Sequence, residues 1–463
     1  MGGTDDSVTQ KVHLVSLGCP KNLVDSEVTL GGLVAEGFRP VDDPAEADVI
    51  VVNTCSFISA ATEESIDTVL ALAREKTEGR CRTLIVAGCM AQRYGTELER
   101  ELPEVDYFVG TGEFHRIARM LKERPVRKVQ VGPPRYLPDE QSPRVRSNSS
   151  FSAYLKVSEG CSQRCTFCVI PGLRGPLRSR RIASLVAEAE ALARGGVVEL
   201  NVVSQDTNAY GMDLEPREGR PPLARLLREL GGIERLRWIR LLYMYPRRFP
   251  ATLMDVIARE PRVVKYLDLP LQHIDGGVLR RMGRGVGEDR SRRLVAQLRE
   301  RIPGLVLRTT FMVGFPGETE RAFQKLLDFV EESRFEYLGV FAFSPEEGTP
   351  AAQLSGQVPE EEKQARVRAL MEVQQRISRT YHAGLVGTVQ DVLVEGYAEE
   401  TDLLLQGRLA TQAPEVDGRV LINAGNAAAG SIVPVRIDQA LDYDLVGHIV
   451  SSGGESWTTT MSV

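Results

Sequence analysis

GCSQRCTFCVIP, at 160–171, decides how the chain is read. Its three cysteines, Cys161, Cys165 and Cys168, are separated by three and then two residues and come directly after the apolar run YLKVSEG (154–160). Five more runs follow with helical patterns between them: ELNVVSQ (199–205), WIRLLYM (238–244), VKYLDLPL (264–271), LVLRTTFMV (305–313) and FEYLGVFAF (335–343). Strands alternating with helices build a parallel sheet. Six strand–helix units fall short of the eight that close a barrel, which predicts an open, partial six-unit (β/α) barrel. PEEEKQARVRALMEVQQRISRTYHAG (359–384) predicts one long bridging helix, with Val367, Leu370, Met371 and Ile377 on one stripe and Gly384 as its stop. Barrel and bridge together span 151–380.

Upstream, KVHLVSLG (11–18), DVIVVNT (48–54) and RTLIVAG (82–88) are apolar strands with helical patterns between them. They predict a doubly wound parallel α/β sheet over 1–130. VGPPRYLPDEQSPRVRSNSS (131–150), rich in Pro, Ser and charge, reads as a linker. From 381 to 450 short strands broken by Gly, Pro and Asp predict a small five-stranded β-barrel, and 451–463 reads as a tail.

The 463 residues, 42% hydrophobic and 26% charged, suffice for roughly three domains by length. MGGTDDSVTQK lacks the apolar core of a secretion signal, and no run approaches the roughly 18 apolar residues of a spanning helix. The expectation is a cytoplasmic protein with no membrane partner. In a reducing compartment clustered cysteines are metal ligands or catalytic groups more often than disulfides, and seven is an odd number.

Soft thiolates suit iron–sulfur clusters, and three close ligands leave one iron of a 4Fe cubane open to a substrate. Spacing alone leaves a zinc site or a redox pair open. A second set is less obvious: Cys19, Cys55 and Cys89 each follow a strand directly, in SLGC, VNTC and VAGC. In a parallel sheet all strand C-termini share one edge, where ligands bind, so three thiols are expected to converge there. Buried cysteines filling space as small hydrophobes are the bland alternative. Cys81 precedes its strand, in EGRCR, and is expected on the opposite edge as an ordinary thiol.

The CxxxCxxC loop, with Phe167 before its last cysteine and a six-unit barrel after it, resembles the radical S-adenosylmethionine (AdoMet) superfamily. SLGCPKNLVDSE (16–27), VNTCSFI (52–58), VAGCMAQRY (87–94), YLDLPLQH (266–273) and TTFMVGFPGETE (309–320) further resemble the methylthiotransferases, over essentially the whole chain including a C-terminal TRAM barrel. CPKNLVDSE and DLPLQH look like the RimO-type branch, which modifies a ribosomal protein; the tRNA-modifying branch has a GCQMN-like first motif. The resemblance implies two 4Fe-4S clusters, one on each cysteine set, and AdoMet as cofactor. It implies that Ser204, Gln205 and Asp206 hold the methionine end of AdoMet, that Gln272 faces the ribose, and that Phe167, Val313 and Gly314 lie by the adenine. Polar groups that merely cap barrel strands are the alternative. It also implies transfer of a methylthio group to the β-carbon of an aspartate in the twelfth protein of the small ribosomal subunit, free or in the assembled ribosome. An external electron donor and a sulfur source are then needed. A tRNA adenosine methylthiotransferase and a non-catalytic iron–sulfur electron carrier are the other readings.

Charge bears on that choice. Residues 151–380 carry 36 bases against 29 acids, whereas 381–450 carry 3 bases against 10 acids. A domain that grips RNA must neutralise phosphates. An acidic C-terminal barrel argues against nucleic-acid binding there and for a basic protein partner. The run Arg174, Arg178, Arg180 and Arg181 reads as a solvated charged face, with the grip of an acidic side chain as the alternative.

Overall fold

The computed structural model describes residues 9–147, 149–214 and 222–450, and the tail expected at 451–463 lies outside them. The N-terminal sheet holds β1 (Lys11–Ser16), β2 (Arg39–Pro40), β3 (Val49–Thr54), β4 (Thr83–Gly88), β5 (Tyr107–Val109) and β6 (Val129–Gln130). They lie in the order β2-β1-β3-β4-β5-β6, all parallel. β1, β3 and β4 are the strands expected from their apolar runs; the others have three residues or fewer, too short to show a period. All six residues of β3 are buried, as helices on both faces of a sheet require. Val49 and Val51 pack on one side against the helix Pro20–Ala35, and Ile50 and Val52 on the other against the helix Cys89–Glu101.

The central sheet begins with β7 (Ser152–Lys156), followed by the small antiparallel pair β8 (Ser158–Glu159) and β9 (Arg178–Ser179) that closes the base of the cysteine loop. β10 (Glu199–Val203), β11 (Trp238–Leu241), β12 (Val263–Asp268), β13 (Val306–Val313) and β14 (Tyr337–Ala342) complete six parallel strands in the order β14-β13-β12-β11-β10-β7. The ends do not pair, so the barrel is open. Its outer face packs under helices in the largest core, and the helix Glu360–Ala383 covers the β14 side with Leu370, Val373 and Ile377 buried.

β15 (Val389–Ala398), β16 (Thr401–Leu409), β17 (Val420–Ala424), β18 (Ile432–Ala440) and β19 (Leu445–Ile449) form a closed barrel in the order β15-β16-β17-β19-β18. This barrel plugs the concave face of the central sheet. Leu393 and Ala413 join Tyr154, Trp238, Tyr266 and Tyr337 in one buried cluster. Arg240 donates to the Ala410 carbonyl at 2.8 Å, and the Tyr266 hydroxyl donates to Asp417 at 2.7 Å. Glu199, wholly buried at the start of β10, receives Arg240 at 3.0 Å and Arg408 of β16 at 2.7 Å.

Among the described residues the stretch read as a linker has no regular element but is packed down. Arg144 pairs with Glu27 and Glu188, each at 2.6 Å, and the Val145 amide donates to the Glu27 carbonyl at 3.0 Å. Among the described residues no helix is long and apolar enough to cross a membrane.

Candidate iron–sulfur and cofactor site

β1, β3 and β4 are neighbours, so the residues that follow them stand side by side at one sheet edge. Cys19 caps the helix Pro20–Ala35, Cys55 follows β3, and Cys89 opens the helix Cys89–Glu101. Helix N-termini favour thiolate over thiol. Gly18 (φ +86°) must be glycine because a Cβ there would come 2.8 Å from Cys55 Sγ. Asn22 ties the loops together, donating through Nδ2 to the carbonyls of Leu17 and Thr54, each at 3.0 Å, while its Oδ1 accepts from Cys89 Sγ at 3.7 Å. Burial pushes the Cys89 thiol up to about 12. Burial also opposes charge on Cys19, but Lys21 and Arg174 carry that thiol below its ordinary value. Cys81 lies apart, at the opposite end of β4, with its thiol toward the Thr83 carbonyl.

The second set is held from several sides. The Cys161 amide donates to the Gly175 carbonyl at 3.0 Å, and the Thr166 amide to that of Met282 at 2.9 Å. Gly283 (φ +68°) leaves room for the loop, since a Cβ there would lie 2.5 Å from the Arg164 carbonyl oxygen. Arg284 points at Cys165 Sγ at 3.7 Å, stacks over the Tyr245 ring at 4.0 Å and donates to the Pro270 carbonyl at 2.7 Å. Burial raises Cys161 to about 11 and Cys168 to about 12. Arg284 and Tyr245 carry no sequence signal: one is the second arginine of RMGRGVG, the other an aromatic past a strand end.

Asp206, following β10, accepts from Gln163 of the cysteine loop at 2.8 Å and lines a cavity of about 320 Å3 with Ser162, Tyr245 and Arg248. Burial raises its carboxyl above the ordinary value. Ser204 is buried beneath, its hydroxyl accepting the Asp206 amide at 3.1 Å. Gln205 turns elsewhere and donates to Glu159 at 2.6 Å. Gln272 sits at φ +72° beyond β12, bridged to β13 through the Thr310 carbonyl and the Met312 amide. Val313 ends β13, and Gly314 (φ +71°) and Phe315 give their amides to the Glu318 carboxylate. Phe167 packs edge-on against Phe315, with centroids 6.3 Å apart. Asp206 thus lines the cavity beside the cysteine loop with Ser204 buried under it, while Phe167 packs with Met312 and Phe315, the Val313 side chain sits in the helix-covered core and Gly314 faces Lys363.

Only part of the basic run is a solvated face: Arg181 is exposed and Arg178 is half-buried. Arg174 and Arg180 are buried. Arg174 pairs with Asp25 and with Glu159, donates to Asn22 and reaches Cys89 Sγ at 3.6 Å. Lys156 completes the network on Asp25 and Glu159, and Arg180 pairs with Glu188. Asp25 comes from the N-terminal domain, 149 residues from Arg174, a pairing that no local charge count reveals.

Among the described residues no group of three Cys, His, Asp or Glu side chains could hold a single metal ion. What the two sites offer is three thiols apiece, the donor set of a cubane with one iron left open.

An open six-strand barrel with this cysteine loop behind its first strand defines a radical AdoMet enzyme, and residues 155–330 match the Radical SAM superfamily. Residues 11–110 match the Uncharacterized protein family UPF0004, and 386–450 the TRAM domain. The ribosomal protein uS12 methylthiotransferase RimO of Geobacter sulfurreducens is 53% identical over 445 residues, covering 96% of this chain and 99% of that one. The protein of the same name from Citrifermentans bemidjiense is 52% identical over 448 residues, with shares of 96% and 99%. The chain belongs to the RimO family of methylthiotransferases, AdoMet-dependent enzymes that use 4Fe-4S clusters. Among solved structures, the radical AdoMet methyltransferase TsrM of Kitasatospora setae, with cobalamin and a 4Fe-4S cluster bound, has a similar fold. Its TM-score is 0.53 at 17% identity, over 83% of this chain and 77% of that one.

Proposed function

We propose that this chain places a methylthio group on the β-carbon of an aspartate in the twelfth protein of the small ribosomal subunit. The observation that carries the reading is the meeting of two three-thiol sites across one buried network, in which Arg174 leaves the loop of one set and touches Cys89 of the other. Cys161, Cys165 and Cys168 hold one cluster; Cys19, Cys55 and Cys89 hold the second. When bound, clusters and AdoMet supply the radical and the sulfur that an unactivated C–H carbon requires. Ser204 and Asp206 position the methionine end of AdoMet, with Gln205 bracing Glu159 instead of touching it. Gln272 serves the ribose, and Phe167, Val313 and Gly314 form the adenine wall. An external donor provides electrons, and a separate source the sulfur.

The C-terminal barrel suits a basic protein acceptor. Asp391, Glu399, Asp402 and Glu415 are exposed, beside Tyr397 at 59% and Leu403 at 88% exposure. Of its three bases Arg408 and Arg419 are tied to acids, which leaves Arg436 for a phosphate backbone. The enzyme works in the cytoplasm, where ribosomes are.

The test is mass spectrometry of the acceptor after incubation with reconstituted, reduced protein and AdoMet. Added methylthio mass on the aspartate is expected. A methylthiolated adenosine in tRNA, or no AdoMet cleavage at all, would overturn the reading.

A further inference from the structure

Lys21 stands two residues after Cys19, in the first turn of the helix Pro20–Ala35, and is 7% exposed. Its ammonium lies 3.2 Å from the centroid of the Tyr243 ring. Among the described residues it has no hydrogen-bond acceptor, and no carboxylate lies within 4.0 Å. The other buried lysines are matched: Lys156 with Asp25 and Glu159, Lys363 with Glu360 and the Phe343 carbonyl. The charges facing Lys21 are Cys19, Asp268, Glu159 and Arg174, none of them hydrogen bonded to it. A desolvated ammonium with unspent donors is costly, and a ligand that completes its shell removes the cost.

Tyr243 is unusual as well. It holds φ +57°, a left-handed conformation that aromatic residues avoid, with its amide on Asp268 at 3.0 Å and its carbonyl accepting the Thr207 amide at 3.1 Å. Such conformations gather at ligand sites. Tyr243 lies just past the end of β11, on the barrel mouth, while Lys21 comes from the N-terminal domain beside Cys19. The pair therefore bridges the two halves that carry the cysteine sets.

We propose that Lys21 binds the carboxylate of the acceptor side chain, with the Tyr243 ring behind the ammonium. The inference rests on the proposed function and adds the acceptor subsite to it. A lysine is a compact charge with three donors, suited to one carboxylate. The β-carbon, one bond from that carboxylate, is then held next to Cys19. The carboxylate of AdoMet is the other possible source, but the cavity beside Asp206 does not include Lys21 among its lining residues.

The test measures binding of the acceptor protein to the reconstituted holoenzyme without reductant, so that no turnover occurs. Acceptors carrying aspartate or asparagine at the modified position are compared on wild type, K21R and K21M, with iron content read for each. Wild type is expected to prefer the aspartate form about tenfold or more, K21R to keep part of that preference and K21M to lose it. A K21M enzyme with the wild-type preference overturns the proposal, and so does a wild type without one, even if K21M does not load iron. Loss of AdoMet affinity in K21M with the acceptor preference intact would assign the lysine to the cofactor and also overturn it. Failure of the parent reading looks different: no methylthio mass on the aspartate acceptor with wild type, whatever the binding shows.

Discussion

Arg174 Nη2 lies 3.6 Å from Cys89 Sγ, a contact between the segment that leaves one cysteine loop and the sheet that carries the other set. The same guanidinium neutralises Asp25 and Glu159, which Lys156 also contacts. Burial opposes charge on Glu159, yet Lys156 and Arg174 hold its carboxyl well below the usual range. One fixed cation thus joins the two domains electrostatically.

Removing that cation leaves two buried carboxylates with one partner. R174M is expected to lower unfolding free energy by roughly 3–5 kcal/mol, the usual cost of breaking a buried ion pair, and R174K by less. Chemical denaturation of the reconstituted protein measures this. A loss below about 1 kcal/mol would show that the network does not hold the domains together.

Cluster assignment is read from iron. C161A and C89A are each expected to lose about half of the bound iron, with AdoMet cleavage abolished in C161A and retained in C89A, while C81A keeps all of it. G18A is expected to resemble the loss of Cys55, because its Cβ would come 2.6 Å from Cys55 Cβ. Full iron in C89A would remove that ligand from the scheme.

Glu199 predicts an acid limit for the docking of the C-terminal barrel. Burial opposes its charge, but Arg408 and Arg240 hold the carboxyl well below its ordinary value of 4.5. A depressed carboxyl stabilises above its unfolded value, and that contribution fades as pH falls below about 4.5. Limited proteolysis at the junction near 385 is expected to accelerate in that range. E199Q is expected to be cleaved faster already at pH 7 and to show a weaker acid dependence. Equal cleavage of E199Q and wild type at pH 7 would count against a role for this pair in docking.

Binding of the basic acceptor is expected to weaken several-fold between roughly 0.05 and 0.5 M salt, as screening shortens the reach of surface charge. Reversing Asp391, Glu399 and Asp402 together to lysine is expected to weaken it about tenfold and to flatten the salt dependence. Unchanged affinity of the reversed barrel, measured by anisotropy, would sink the docking surface.

Six of the strands in the central sheet, three in the N-terminal sheet and the closed C-terminal barrel were legible in the chain, because each strand announces itself through a local apolar run. The placement of Cys19, Cys55 and Cys89 at one edge followed from the same signal, since a parallel sheet gathers its strand ends. The acidic count of 381–450 was read as surface, and part of it is internal: Asp417 faces Tyr266, and Glu395 pairs with Arg408. The arginine run was read as solvated because a charge count does not show which side chains turn inward: Arg174 does so to meet Asp25, 149 residues away, and Arg180 to meet Glu188, only eight away.

By itself, then, the sequence determined the three architectures and the two sets of thiols, both of which depend on neighbours within a few residues. Only the tertiary structure decided what surrounds those thiols. Arg174 meets Cys89 across 85 residues and Glu199 meets Arg408 across 209. Lys21 meets Tyr243 only because the first helix docks on the barrel mouth. A buried charge is placed by the partner it finds, and that partner is fixed by packing between domains.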